Sequence, residues 1–207
     1  MKVLLPSGYF PPISYFKYLI DAEVSIETQE HFVKQTLRSR THICGANGPL
    51  QLMVPRTKGP ERTKMADVQI HEDRHWRKLH WRSLESAYRK SPYFEYYEDR
   101  FSPFFEMEFA SMIDLNVAST RLVADLIGIP FNPILTEQYE KEPEGIDLRN
   151  AWNKMLYRER SPVVEFPTYI QVFSDRFAFQ PDLSILDLLF CEGPRSKDYL
   201  ARLKRAY

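Results

Sequence analysis

The chain has 207 residues, 43% of them hydrophobic and 14% aromatic, and its formal net charge is zero. That length and apolar content suffice for a core of its own. The neutral balance argues against nucleic acid as a main partner, and no run approaches the ~20 apolar residues of a membrane span.

Cys44 and Cys191 are the only cysteines. Two thiols fit a reducing compartment better than a disulfide framework. The opening Met1-Lys2-Val3-Leu4-Leu5-Pro6 is too short an apolar run for a signal peptide. The expectation is a cytoplasmic protein. The zero total conceals a pattern. Residues 34–90 carry thirteen Lys/Arg against five Asp/Glu, a balance of +8, and the remainder carries −8. A basic middle segment points to a concentrated site for phosphate, nucleotide or carboxylate. The alternative is a solvated face that pairs with acids from elsewhere in the fold.

In chain order, Val3-Leu4-Leu5 reads as a buried strand ended by Pro6-Ser7-Gly8. Pro12 suits the first turn of a helix, and Ile13, Tyr15, Phe16, Leu19 and Ile20 follow at helical spacing. Residues 23–27 alternate as a second strand. Strand, helix, strand predicts a βαβ unit with a parallel pair. Ligands of such units bind outside the carboxyl ends of the strands, here near residues 7–12 and from Thr28 onward. Residues 31–40 fall at that rim and carry Lys34, Gln35, Arg38 and Arg40. Residues 41–44 and 50–54 predict a hairpin around the Gly45-Ala46-Asn47-Gly48-Pro49 turn. Residues 56–64 are a basic loop without apolar periodicity, a candidate flap. Residues 66–70 read as another strand, and Asp73 is placed to cap the next helix.

That helix, 76–90, holds two of the three tryptophans. At about 100° per residue, Trp76, Arg77, Leu79, His80, Trp81, Ser83, Leu84, Ala87 and Tyr88 share one broad face. His80 sits near the middle of it. An imidazole and a guanidinium buried among rings need partners, so this helix is the first place to look for function. Ser91-Pro92 reads as the cap and first residue of a further helix, whose Tyr93, Phe94, Tyr97 and Phe101 form an aromatic stripe suited to a core. A separate short helix is predicted at 103–109 and an amphipathic one at 112–127, closed by Gly128. Residues 137–145 form an acidic loop. A short helix is expected within 149–160, a late strand at 168–173, an apolar helix at 184–190 and a charged helix ending at Arg205.

The five histidines show no metal-ligand spacing. There is no Gly-x-Ser-x-Gly elbow, Walker sequence or Gly-x-Gly-x-x-Gly. Any phosphate must therefore be held by side chains. Cys44 in an apolar strand near His42 suits packing more than nucleophilic attack. His80 is the best single acid–base candidate, against the alternative of a core histidine bonded to a backbone carbonyl. Arg38, Arg40 and Arg77 are the candidates for anion recognition, with Lys34 beside them. Gln35 and Tyr9 are the candidates for orienting hydrogen bonds.

Several blocks carry a family resemblance. They are Tyr9-Phe10-Pro11, Tyr15-Phe16, Lys34-Gln35-x-x-Arg38-Ser39-Arg40, Leu52-x-Val54-Pro55, Trp76-x-x-x-His80-Trp81, Ser91-Pro92-Tyr93-Phe94 and residues 183–190. In that order they resemble the WbqC-like family over nearly the whole chain. Members are associated with bacterial surface-polysaccharide (O-antigen) gene clusters, so the resemblance implies that biosynthetic setting more strongly than a reaction. Many members open with Gln-Pro before the Tyr-Phe-Pro block and have Asn-Arg where this chain has Ser39-Arg40. That departure bears on substrate choice. The stretch from the first strand through Pro12 is also similar to the start of nucleotidyltransferases with a His-x-Gly-His motif. Ile13, Ser14, Tyr15 and Phe16 occupy that place here, so an inherited adenylyl transfer is not implied.

The expectation is one α/β domain over 1–207. A βαβ-type mixed sheet, Rossmann-like, occupies 1–72, and 73–207 is mostly helical. The leading function is group transfer on an activated sugar or related phosphorylated metabolite. Arg38, Arg40 and Arg77 would hold the anion, and His80 would be the base. No cofactor is specified. The expected partner is an anionic small molecule such as a nucleotide-sugar, and other polysaccharide-pathway enzymes are candidate partners. The rivals are a non-catalytic scaffold with an exposed aromatic patch at Tyr93, Phe94, Tyr96, Tyr97 and Phe101, and a degenerate nucleotide-binding protein.

Overall fold

A computed structural model describes residues 1–20, 22–71, 73, 75–153, 163 and 165–205. Strand β1 (Lys2–Pro6), helix α1 (Ile13–Lys17) and strand β2 (Glu23–Glu27) form the βαβ unit. The two strands pair in parallel, Val3 opposite Val24 and Leu5 opposite Ile26. The hairpin is β3 (Arg40–Gly45) and β4 (Gly48–Met53), in register from Arg40 opposite Met53 to Gly45 opposite Gly48. Helices α2 (His75–Tyr88), α3 (Phe94–Glu106) and α4 (Met112–Ile127) follow. Two-residue strands β5 (Ile134–Leu135) and β6 (Ile146–Asp147) precede α5 (Ile185–Glu192) and α6 (Ser196–Arg202). The sheet order is β5-β2-β1-β6, every pair parallel, and the hairpin forms its own two-stranded sheet. The chain is therefore α/β, with a parallel sheet at the N-terminus and a helical C-terminal half.

Local chemistry explains most element ends. The Asp73 carboxylate accepts from the His75 N–H at 2.8 Å, at the start of α2. Ser111 accepts from the Asp114 N–H at 3.2 Å and caps α4. Gly128 closes α4 in the left-handed region at φ 75°. The strands at the sheet centre bury Val3, Leu5, Val24 and Ile26, and these join one continuous core with the aromatic rings of the helices. Phe10 packs against Phe101, Phe104 and Phe105, and Phe190 against Phe94 and Phe101, with centroids 5.1–6.1 Å apart.

Five expectations fail, each for a physical reason. Residues 66–70 are not a strand. Met65–Asp67 is a 3-10 turn, Ile70 makes a single bridge to Arg56, and the Val68 carbonyl serves the Met112 N–H. Helix α3 begins at Phe94, without a Ser91 cap. The Ser91 hydroxyl instead donates to the Tyr88 carbonyl at 2.7 Å and closes the preceding turn. Pro103 does not start a helix, because it lies inside α3. Residues 168–173 join no ladder. The Gln171 amide substitutes for a strand partner, accepting from the Gln180 N–H and donating to the Gln180 carbonyl. Leu79 is 54% exposed, because the buried stripe of α2 is narrower than predicted and runs through Trp76, Arg77, His80, Leu84, Ala87 and Tyr88. Strands β5 and β6 escaped prediction because two residues show no alternation. Within 149–160, residues 154–160 lie outside the described residues.

Gly193, between α5 and α6, has φ 54° and ψ −124°. A Cβ there would lie 2.5–2.7 Å from three atoms of the Tyr93 ring. Gly193→Ala is expected to cost about 1–3 kcal/mol, from backbone strain plus the clash. A urea midpoint shared with the native chain would contradict that.

Candidate functional site

The turn after β1 carries the first functional candidate. Phe10 sits there at φ 38°, unusual for a residue with a side chain. Its N–H donates to Ser119 Oγ, and its carbonyl accepts from the Thr41 and Ser184 hydroxyls at 2.7 and 2.9 Å. These bonds hold the strained backbone in place. The neighbouring Tyr9 is anchored by its N–H to the Leu37 carbonyl. Its ring points to α2, where its hydroxyl hydrogen-bonds His80 Nδ1 at 2.9 Å, donating to it in the tautomer protonated at Nε2. The His80 ring also lies by the Met53 backbone at the end of β4, which favours its charged form. Three separate elements thus meet at one imidazole.

Tyr9 and His80 are 0% and 2% exposed. Burial lowers the His80 pKa to about 4, although the Met53 backbone acts in the opposite direction. Burial also raises the Tyr9 phenol well above its ordinary range, with the Arg77 charge opposing. Near neutral pH both groups are therefore uncharged. Trp76 closes the group, its ring 5.1 Å from His80 and 6.2 Å from Tyr9. The Arg77 guanidinium lies 5.2 Å from the Trp76 ring.

The buried donors around this pair are not all satisfied. Arg40 Nε, Trp76 Nε1 and Arg77 Nε have no hydrogen-bond partner among the described residues. Arg77 and Trp76 are only 8% and 6% exposed, and Arg77 makes no ion pair there. Arg40 stands opposite Met53 in the hairpin register, so it flanks the strand end that touches His80. Its Nη1 donates to Gln51 Oε1 at 2.8 Å, and the Gln51 amide in turn meets His42. Burial and the Arg40 charge hold the His42 pKa down. Orphaned buried donors are uncommon in a finished core. Unpartnered buried N–H groups can hold an anion, and those of Trp76 and Arg77 share helix α2 with His80.

The other predicted residues sit elsewhere. Arg38 is 0% exposed and all five of its N–H groups are engaged. Nε and Nη2 form a fork onto Glu30 at 2.7 and 2.8 Å. Nη1 reaches Thr36 and Asn153, and Nη2 also reaches the Arg149 carbonyl. No donor remains for a ligand, so Arg38 braces the rim from beneath. Lys34 and Gln35 are exposed, and Gln35 has φ 63°. They lie on the turn two to three residues before Leu37, away from the buried pair.

Sequence reasoning missed the second ionic group at the carboxyl edge. Arg149 binds Asp147 through Nε and Nη2, and its Nη1 reaches Glu27 Oε2 at 3.2 Å and the Glu140 carbonyl at 2.8 Å. Together with Glu30–Arg38 it fills the ends of β2 and β6 with the protein's own ion pairs. A phosphate has no place there, which shifts the candidate site toward the β1 turn and α2. The partners lie from 2 to 122 positions away, so no single spacing signalled the group. Trp76 Nε1 was also missed, although Trp76 itself stood in the recognised block.

Two further groups bear on the chemistry. Cys44 and Cys191 are buried, and burial with the nearby Asp187 charge raises both thiols, which keeps them protonated and inert. A cavity of about 450 Å³ lies over the open face of the sheet, lined by Glu23, Glu27, Glu137, Glu140, Glu144 and Lys2 among others. Its acidity repels the anion that the Arg77 group would attract. Among the described residues no three His, Cys, Asp or Glu side chains are grouped to hold a metal ion. No described helix is long and apolar enough to cross a membrane.

Comparison with known proteins adds a family. The model of the "WbqC-like protein family" matches residues 7–159, a span that contains Tyr9, Arg40, Trp76, Arg77 and His80. The chain is 25% identical over 226 aligned positions to "Uncharacterized protein Rv1507c" of Mycobacterium tuberculosis, covering 95% of this chain and 96% of that one. No solved structure matches.

Proposed function

Because the chain belongs to the WbqC-like protein family, we propose that it is a cytoplasmic group-transfer enzyme of bacterial surface-polysaccharide assembly. Its substrate is an activated sugar or related phosphorylated metabolite. The observation that carries this reading is the pair of buried, unpartnered N–H donors on Trp76 and Arg77, on the helix that carries His80, together with the unpartnered Arg40 Nε on the hairpin. The donors hold the anionic part of the substrate. The neutral imidazole is the acceptor form that a general base needs. An incoming hydroxyl or amine that displaces the Tyr9 hydroxyl would hand its proton to His80 Nδ1, while the transferred group leaves the phosphate.

One observation favours a second reading, a protein of the same pathway that binds without reacting. Tyr9 and His80 are closed off, and protein groups already occupy the imidazole. The scaffold with an aromatic patch has less support, because Phe94, Tyr97 and Phe101 are 0–3% exposed and of that group Tyr96 stands out at 75%.

A thermal-shift screen with nucleotide-sugars, nucleotides and acyl-CoA compounds tests the small-molecule reading. A nucleotide-sugar is expected to raise Tm, and no shift across the panel would remove it. Product analysis by mass spectrometry then separates turnover from binding. Arg77→Met gives the sharper result. A buried guanidinium without a carboxylate partner is costly to keep, so the variant should melt at or above the native temperature. Its affinity for the ligand should fall roughly tenfold or more. A lowered Tm with unchanged affinity would make Arg77 a packing residue.

A further inference from the structure

We propose that the arch of residues 56–64 is a second anion site, shaped for the pyrophosphate group of a small molecule. A cavity of about 470 Å³ lies under it, lined by Arg56, Lys58, Arg62 and Lys64 together with Thr63 and the acid Asp67, among others. That volume lies within the range of small-ligand sites and exceeds a single phosphate.

The feet of the arch are fixed. At one end Arg56 bridges to Ile70, and the Thr57 N–H donates to the Gln69 carbonyl at 3.0 Å. At the other, Lys64 bridges to His31, and the Phe32 N–H donates to the Thr63 carbonyl at 2.9 Å. The Met65 and Ala66 N–H groups continue the clamp onto the Glu30 and Thr28 carbonyls. Inside the arch the Thr63 hydroxyl donates to the Pro60 carbonyl at 2.6 Å. The span is therefore a braced concavity, in place of the loose flap that its composition suggested.

Its charges are not neutralised by the protein. Among the described residues none of the four basic side chains forms an ion pair. Arg56 is oriented by the Phe32 ring, 5.0 Å from its guanidinium, and Lys64 donates to the neutral Gln29 amide at 3.2 Å. Glu61 lies in the same arch and Asp67 beside it, but neither is within ion-pair distance of these cations. A run of solvated charges would normally diverge into water. Here the clamps fix the two ends of the arch, and four cations line one hollow, where their like charges raise the local potential. A multiply charged phosphate group offsets that potential. The same residues could meet a nucleic acid or an anionic membrane, but the chain's neutral total and the concave setting favour a compact ligand. The Arg77 cluster supplies none of the lining residues, so this site does not depend on the role of His80.

The test is isothermal titration of the full chain with inorganic pyrophosphate and with uridine diphosphate. The native chain and the Lys58→Ala/Arg62→Ala and Arg77→Met variants are compared. Lys58 and Arg62 are exposed and form no ion pair among the described residues, so circular dichroism melts should coincide with the native chain. A Lys58→Gln/Arg62→Gln variant serves if they do not. Pyrophosphate should bind the native chain and weaken roughly tenfold or more in the arch variant. It should be unaffected by Arg77→Met. The proposal is overturned if pyrophosphate does not bind, or if the arch variant binds equally well. It is also overturned if Arg77→Met abolishes the same binding event, or if Lys58 and Arg62 support binding only to an RNA oligomer or to phosphatidylserine vesicles.

Discussion

Arg38→Met will lower the stability of this protein by about 3–5 kcal/mol, the range for removing one partner of a buried ion pair. The Arg38 side chain is fully buried and its fork onto Glu30 is bidentate. Glu30 is itself 9% exposed, and burial already raises its pKa in spite of Arg38. Without the guanidinium the carboxylate must either ionise unpaired or take up a proton. The Thr36 hydroxyl, the Asn153 amide and the Arg149 carbonyl lose a partner at the same time. Arg38→Lys should recover little, since one ammonium cannot reproduce a planar fork of five donors. Adding Glu30→Gln to Arg38→Met should recover part of the loss, because it removes the stranded charge. Urea midpoints measured with unchanged slopes decide the matter. An Arg38→Met midpoint equal to the native one would return Arg38 to the pool of ligand-binding candidates.

The second large effect is acid sensitivity centred on His80. The folded state holds this imidazole neutral down to about pH 4, whereas an unfolded histidine takes up its proton near 6.5. Between those values the unfolded chain binds more protons, so stability rises with pH across the window. The contribution is fully present above about pH 6.5 and is lost as pH falls toward 4. The difference corresponds to about 3 kcal/mol. Glu30 and Asp187 oppose this trend, because burial raises both carboxyls and favours their protonated forms in the fold. His42, whose pKa is also held down, adds to the trend, so the native curve alone does not isolate His80. The stability gap between the native chain and His80→Asn isolates it. That gap should be large at pH 7, where the variant leaves Tyr9 poorly partnered, and should shrink toward pH 4. A gap that stays constant across the window would show that His80 titrates normally. A large loss at pH 7 also means that His80→Ala does not report cleanly on catalysis, so Arg77→Met is the better functional probe.

The elements that could be read before the structure was known are those whose cause is local. The β1 run, the Pro12 helix start, the alternating 23–27 strand and the turn chemistry of 45–49 each announced their element within a few residues. Helix 112–127 had periodicity and a Gly128 stop. The misplaced elements depended on partners far along the chain. Residues 168–173 look like a strand, but a Gln171 side chain takes the place of a ladder. Pro103 reads as a helix start, yet the packing of Phe101, Phe104 and Phe105 on Phe10 carries α3 through it. At the candidate site, the block around Trp76, Arg77 and His80 was legible from composition and from its family resemblance. What each residue does there was not.

The sequence by itself determined the α/β class, the parallel βαβ opening, the hairpin, membership of a family and the basic segment in which the candidate residues lie. These follow from short-range periodicity, turn chemistry and motif order. Only the tertiary structure separated the arginines. Arg38 meets Glu30, eight positions earlier, and the Arg149 carbonyl, 111 positions later, so it is a buried strut. Arg77 lies against the Trp76 ring, and its Nε has no hydrogen-bond partner among the described residues. Whether a buried charge is structural or free for a ligand depends on which distant groups surround it. Their positions are set by how the whole chain packs.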